Sequence, residues 1–115
     1  YGSGMMVKVL NNFIAASSVV SVRHVINQAE KFDLDIETIF KTIDTSSGQS
    51  WFGTNREKID WFKEPYNDDN TIGILKKDVE AYVDAFENLS ELDNFVSGDL
   101  SSSIIKAINN MPLTR

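Results

Sequence analysis

The chain has 115 residues and a formal net charge of -6, from 11 basic and 17 acidic side chains. With 12.9 kDa, surface scaling gives roughly 6,300 Å² folded against roughly 18,700 Å² unfolded, enough to bury one modest core. The acidic balance disfavours a general nucleic-acid binder, which needs a basic face. Cysteine is absent, which excludes disulfides and thiolate zinc sites. The single histidine leaves no histidine pair for a metal or a proton relay, so no metal site is expected. No unbroken apolar run approaches the roughly 20 residues of a membrane span, and no basic-then-apolar leader opens the chain. These features imply a cytoplasmic protein without membrane partners.

From Met5 to Ser47 there is neither glycine nor proline. Met6, Val9, Leu10, Phe13, Val20, Ile26 and Ala29 recur at helical spacing, so one long helix is expected from Gly4 to Lys31 with Ser3 as its N-cap. Val19, Val20 and Val22 are modest helix formers, and packing must hold that part. Asp33 stands where a glycine is the usual stop. Asp35 then caps a second helix carrying Ile36, Ile39, Phe40 and Ile43. Thr45 to Gln49 reads as a small-residue turn, and Ser50 to Ile59 as a short helix with Trp51 and Phe52.

Asp60 to Asn70 contains Pro65 and several Asn and Asp residues, and reads as an exposed loop. Thr71 is expected to cap a helix through Asn88, with Ile74, Leu75, Val79, Tyr82, Val83 and Phe86 as its apolar stripe. Ser90 to Val96 reads as a short helix, and Asp99 as the cap of a last one, Leu100 to Asn110. No repeat, low-complexity tract or alternating strand is present. The expected fold is all-α, a single helical bundle over residues 1–115 built around the first helix. A 28-residue helix is about 42 Å long, whereas a compact domain of this size is roughly 34 Å across. The first helix should therefore protrude or meet another domain or subunit.

Lys8 and Asn12 are four residues apart and share a helix face. Asn11 and Asn12 are poor helix formers among Met, Val and Leu. A buried lysine beside an amide makes a proton donor next to a group that fixes a ligand's orientation. Upstream glycines let a ligand or a backbone approach. On spacing alone, a solvated lysine beside an irregular helix start is the simpler reading.

The pattern Gly2-x-Gly4-x-x-x-Lys8-x-x-Asn11-Asn12 resembles the motif that opens the C-terminal domain of the β-hydroxyacid dehydrogenases. That family includes 3-hydroxyisobutyrate dehydrogenase and tartronate semialdehyde reductase and is related to 6-phosphogluconate dehydrogenase. Three further segments resemble it in order: Ala29-Glu30-Lys31 with Leu34-Asp35, Ser47-Gly48-Gln49-Ser50-Trp51, and Leu75-Lys76-Lys77-Asp78-Val79. The resemblance implies an NAD(P)-dependent oxidoreductase acting on a small 3-hydroxy acid. It implies Lys8 as the catalytic proton donor and acceptor, Asn12 with Asn11 as substrate-binding amides, and Lys77 as a lysine reaching the cofactor. Lys77 is also a candidate for the positive charge that would lower the Lys8 pKa.

The same resemblance implies that NAD or NADP is bound mainly by a separate N-terminal Rossmann domain. This chain lacks a strand followed by Gly-x-Gly-x-x-Gly. The expectation is therefore a fragment, a substrate and dimerisation domain inactive by itself, partnered by that Rossmann domain and by a second subunit. His24 stands where family members often carry Glu, and Asp33 where they carry Gly. The competing reading is a non-catalytic helical oligomerisation or protein-binding module, or a pseudoenzyme relative.

Other residues take plainer readings. His24 is about 24 Å along the helix from Lys8 and on nearly the opposite face, so it reads as packed or partner-facing. Trp51, Phe52, Trp61 and Phe62 read as core aromatics with a loop anchor, or else as a subunit contact. Asp68, Asp69 and Asn70 lack a calcium-loop pattern and read as a solvated turn. Glu87, Glu91, Asp93 and Asp99 read as an acidic surface end.

Overall fold

The computed structural model describes residues 3–87 and 94–114, and of residues 94–97 the backbone alone. It is 73% helical, with no strand among the described residues. Among the described residues five helices run in the order α1 (Ser3–Lys31), α2 (Ile36–Ile43), α3 (Trp51–Asn55), α4 (Thr71–Tyr82) and α5 (Asn94–Asn109). A 3-10 turn, Arg56–Lys58, extends α3, and a π-helical turn, Val83–Glu87, extends α4. The all-α bundle expected from sequence is the observed fold.

The spine is α1. At 1.5 Å per residue its 29 residues span about 44 Å, matching the longest molecular dimension of 45 Å; the other two are 28 and 26 Å. The radius of gyration is 15.2 Å, above the roughly 13 Å of a compact chain this long. By length and composition alone α1 is apolar enough to cross a membrane, with a mean hydropathy of 1.5 over 18 residues. Counting unbroken apolar runs misses this, because Asn and Ser dilute the run without adding charge. Five α1 residues are nevertheless buried in the bundle: Ala16, Val19, Arg23, Ile26 and Ala29.

Helix ends follow local chemistry. Asp33 adopts φ 55°, the left-handed conformation that ends helices. Leu34 N–H donates to Ala29 C=O at 2.9 Å, and Asp33 N–H donates to Glu30 C=O at 3.2 Å. This pair of bonds is a Schellman stop, so aspartate fills the role of the missing glycine. As expected, Asp35 caps α2, its carboxylate accepting from Thr38 N–H at 3.2 Å. Ser50 caps α3 by accepting from Gly53 N–H at 3.0 Å. The α4 cap is Asn70 rather than Thr71: its Oδ1 accepts from Gly73 N–H at 3.1 Å.

The core joins Ala16, Val19 and Ile26 of α1 to Phe40, Phe62, Ile72, Leu75, Val79, Ile104, Ile108 and Met111. Several expectations need correction. Met6 and Leu10 are exposed rather than part of the α1 core stripe, and Ile74 is exposed on α4. The 60–70 segment is not a free loop, since Phe62 is fully buried. Asp99 lies inside α5, which begins at Asn94, because the chain is already helical before it. Glu87 is buried, not a surface acid, and accepts a hydrogen bond from Ser101 Oγ at 2.9 Å. Glu91, Asp93 and the expected start at Ser90 lie outside the described residues.

Candidate functional site

Two residues that the sequence reading passed over organise one half of the molecule. Arg23 is 1% exposed. Its Nε donates to Thr114 Oγ1 at 3.0 Å. Its Nη1 donates to Phe62 C=O at 2.5 Å and to Glu64 C=O at 2.8 Å, and its Nη2 donates to Pro112 C=O. The tail adds Tyr66 N–H to Met111 C=O and Thr114 N–H to Lys63 C=O, at 3.1 and 3.0 Å. One guanidinium thus ties α1, the 62–66 segment and the C-terminal tail together. Burial lowers the Arg23 pKa from its ordinary value, and Glu30 opposes that shift. The sequence carried a signal: Arg23 is the only Asp, Glu, Lys or Arg between Lys8 and Glu30.

Arg56 is the second such residue. It is buried, stacks over the Phe40 ring at 3.9 Å and donates from Nη1 to Gly53 C=O at 2.8 Å. Glu37 and Glu57 lie 3.4 and 3.9 Å from its nitrogens. A small cavity of about 180 Å³ opens beside it, lined by Ile26, Ile36, Phe62 and Thr114 among others. The three carboxylates around Arg56, Asp44 at 4.0 Å included, already balance its charge. These contacts make Arg56 a structural anchor.

The residues singled out for chemistry sit on the other half of α1. Lys8 and Asn12 are one turn apart, on the same side of the helix as the buried Ala16, Val19, Arg23 and Ile26. Lys8 and Asn11 are exposed and Asn12 is half-buried. Asn11 Nδ2 lies 3.5 Å from Asn12 Oδ1. The burial expected for Lys8 is not found, because burial along α1 begins only at Ala16. Phe13 stacks on Tyr82 with ring centroids 4.1 Å apart, and Phe86 follows at 5.3 Å from Tyr82, which fixes α4 against this half of α1.

Asp78 on α4 is the group whose titration senses Lys8. Burial raises its carboxyl pKa above the ordinary value, and the Lys8 ammonium opposes the rise. Sequence reasoning named Lys77 and passed over Asp78, the next residue. Lys77 is exposed, and among the described residues no hydrogen bond or ion pair joins it to Lys8 or Asn12. The structure therefore brings Lys8, Asn11 and Asn12 together on one turn of α1 and leaves Lys77 apart from them.

His24 is exposed and lines a groove of about 490 Å³ with Val20, Val25, Ala107, Met111 and Pro112, away from the Lys8 turn. The aromatic cluster is real: Trp51 to Phe52, Phe52 to Trp61 and Trp61 to Phe62 are 5.1, 6.0 and 6.1 Å between centroids. Only Phe62 is fully buried, and Trp51 is exposed. The expected turn at Asp68–Asn70 is present, with Asn67 Oδ1 accepting from Asp69 N–H at 2.8 Å.

The chain is an all-helical bundle with a lysine and two amides on one turn of its longest helix. The family model described as NAD-binding of NADP-dependent 3-hydroxyisobutyrate dehydrogenase matches residues 2–92, and the chain belongs to that family. No curated protein and no solved structure matches it. The described residues form no strand–turn–helix cradle for a dinucleotide phosphate.

Proposed function

We propose that this chain is the C-terminal, substrate-side domain of an NAD(P)-dependent oxidoreductase that interconverts a small 3-hydroxy acid and its aldehyde or ketone. The observation that carries this reading is the Lys8–Asn12 pair. It lies within the stretch that the family model matches, on the α1 face that continues into the core, and Asp78 on the helix packed alongside feels its charge. A bound nicotinamide supplies or takes up hydride. Lys8 gives its proton to the carbonyl oxygen, where negative charge builds up on reduction. Asn12, steadied by Asn11, holds the acid within reach, and Lys77 offers an exposed ammonium to the cofactor's edge. A Rossmann domain of the same protein closes over the exposed Lys8 turn, and this supplies the burial that the bundle does not. The protein works in the cytoplasm as a homo-oligomer.

The test is Lys8→Ala in a protein carrying both domains. Turnover should fall by about 10²- to 10⁴-fold, the usual contribution of a positioned proton donor. The melting curve of this chain should not move, because Lys8 is exposed. Unchanged turnover removes Lys8 from the mechanism.

A further inference from the structure

The Arg56 side chain is only 8% exposed. Its Nη1 donates to Gly53 C=O at 2.8 Å and its Nη2 to Glu37 Oε1 at 3.4 Å. Its Nε–H is buried and has no acceptor among the described residues. Glu57 Oε1 lies 3.9 Å from Nε, beyond hydrogen-bond length. The carboxylates around Arg56 balance its charge, but at that distance they do not satisfy this donor. A buried donor without an acceptor is costly and rare in folded proteins.

Arg56 also lines the cavity of about 180 Å³. The floor of that cavity is apolar, with Ile26 and Phe62 buried and Ile36 half-buried. Its wall is charged, with Arg56 and Lys63 against Glu37 and Glu57. The two signs alternate along the wall, since Lys63 Nζ lies 4.0 Å from the second oxygen of Glu57. They cancel, so the wall favours an occupant without net charge. Glu37, Glu57 and Lys63 are exposed and can turn toward it.

Water suits this space poorly. One water takes about 30 Å³ and wants two to four polar partners, and the floor offers none. A cavity of about 150 Å³ holds a benzene, so this one takes roughly six to nine heavy atoms. The matching molecule has a small apolar body, an acceptor for Arg56 Nε–H, and both charges.

We propose that this cavity binds a free α-amino acid with a short aliphatic side chain. Its carboxylate accepts from Arg56 Nε–H and faces Lys63. Its ammonium faces Glu37 and Glu57, and its side chain rests on Ile26, Ile36 and Phe62. Thr114 of the tail, which accepts from Arg23, shares the wall. An occupant therefore bridges α2, the 56–58 turn and the tail. Ile26 is about 27 Å along α1 from Lys8, so the proposal is independent of any role for Lys8. A failed Lys8→Ala test would leave it standing.

The Arg56 Nε–H gives its own peak in a nitrogen–proton correlation spectrum of the chain. Titration with L-leucine should move that peak and the amides of Ile36, Lys63 and Thr114, with a Kd on the order of 1 mM. Excess leucine should raise the melting temperature, because it binds the folded chain. Isocaproate lacks leucine's ammonium and isoamylamine lacks its carboxylate. Each should bind about 10-fold more weakly or worse, the usual cost of one charged hydrogen bond. Ile36→Phe fills the cavity from its half-buried edge and should abolish the shifts without lowering the melting temperature of the leucine-free chain. Where it fails to fold, Lys63→Ala, at an exposed position, should still weaken leucine several-fold. An Arg56 peak that stays put at every leucine concentration overturns the proposal and leaves the cavity to water. Equal binding of leucine and its two singly charged analogues overturns it too.

Discussion

The two halves of α1 are built for different work. No described residue before Ala16 is buried, whereas five from Ala16 to Ala29 are. The later half carries Arg23, whose four hydrogen bonds lock the tail and the 62–66 segment. The earlier half carries Lys8, Asn11 and Asn12, which have hardly any partners in the chain. One continuous helix joins a region whose buried arginine is spent on stability to one whose polar groups are exposed or half-buried. Helical hydrogen bonds keep the earlier half in register without tertiary contacts, because their ladder is internal. The stable half therefore positions the exposed one.

The largest test of this division is Arg23→Ala. It leaves the Phe62, Glu64 and Pro112 carbonyls and Thr114 without their donor and opens a cavity. Urea unfolding should show a loss of about 3–5 kcal/mol, against almost none for Lys8→Ala. Equal losses at the two positions would erase the contrast.

Gly73→Ala comes next. A Cβ there would meet Asn67 C=O, and Asp68 C=O at 2.9 Å. Both are backbone atoms just past the 62–66 segment that Arg23 helps to hold. Overpacking of this kind costs about 1–3 kcal/mol, read from the denaturant midpoint. A neutral result would show that the 67–68 segment yields easily.

Asp78 gives the smallest effect and probes the exposed half. Its folded-state pKa is raised, chiefly by burial, so the folded chain holds the proton more tightly than the unfolded one. Its contribution is favourable at acid pH and is lost as pH rises through the raised value. Asp78→Asn should therefore raise the melting temperature slightly at neutral pH and leave it unchanged at strongly acid pH. A lower melting temperature at neutral pH would show that attraction to Lys8 outweighs the cost of burial.

Much of the architecture was legible in the residues. The run without glycine or proline set α1, Asp35 and Ser50 announced their helices, and the Lys8–Asn12 spacing placed both side chains on one turn. The α4 cap was misplaced by one residue, since Asn70 and Thr71 are both good capping residues and only backbone geometry chooses between them. Met6 and Leu10 fitted a helical core pattern and yet are exposed, because periodicity tells which residues share a face but not whether another helix covers it.

Local chemistry in the sequence determined the helices, their stops and the turn that carries Lys8, since caps, spacing and backbone preference act within a few residues. Only the tertiary structure decided that Arg23 and Glu87 go inside, that the 60–70 segment packs down, and that the outer face of α1 is left bare. Those outcomes depend on partners up to 91 residues away, and chain-distant hydrogen-bond acceptors leave no mark on local sequence.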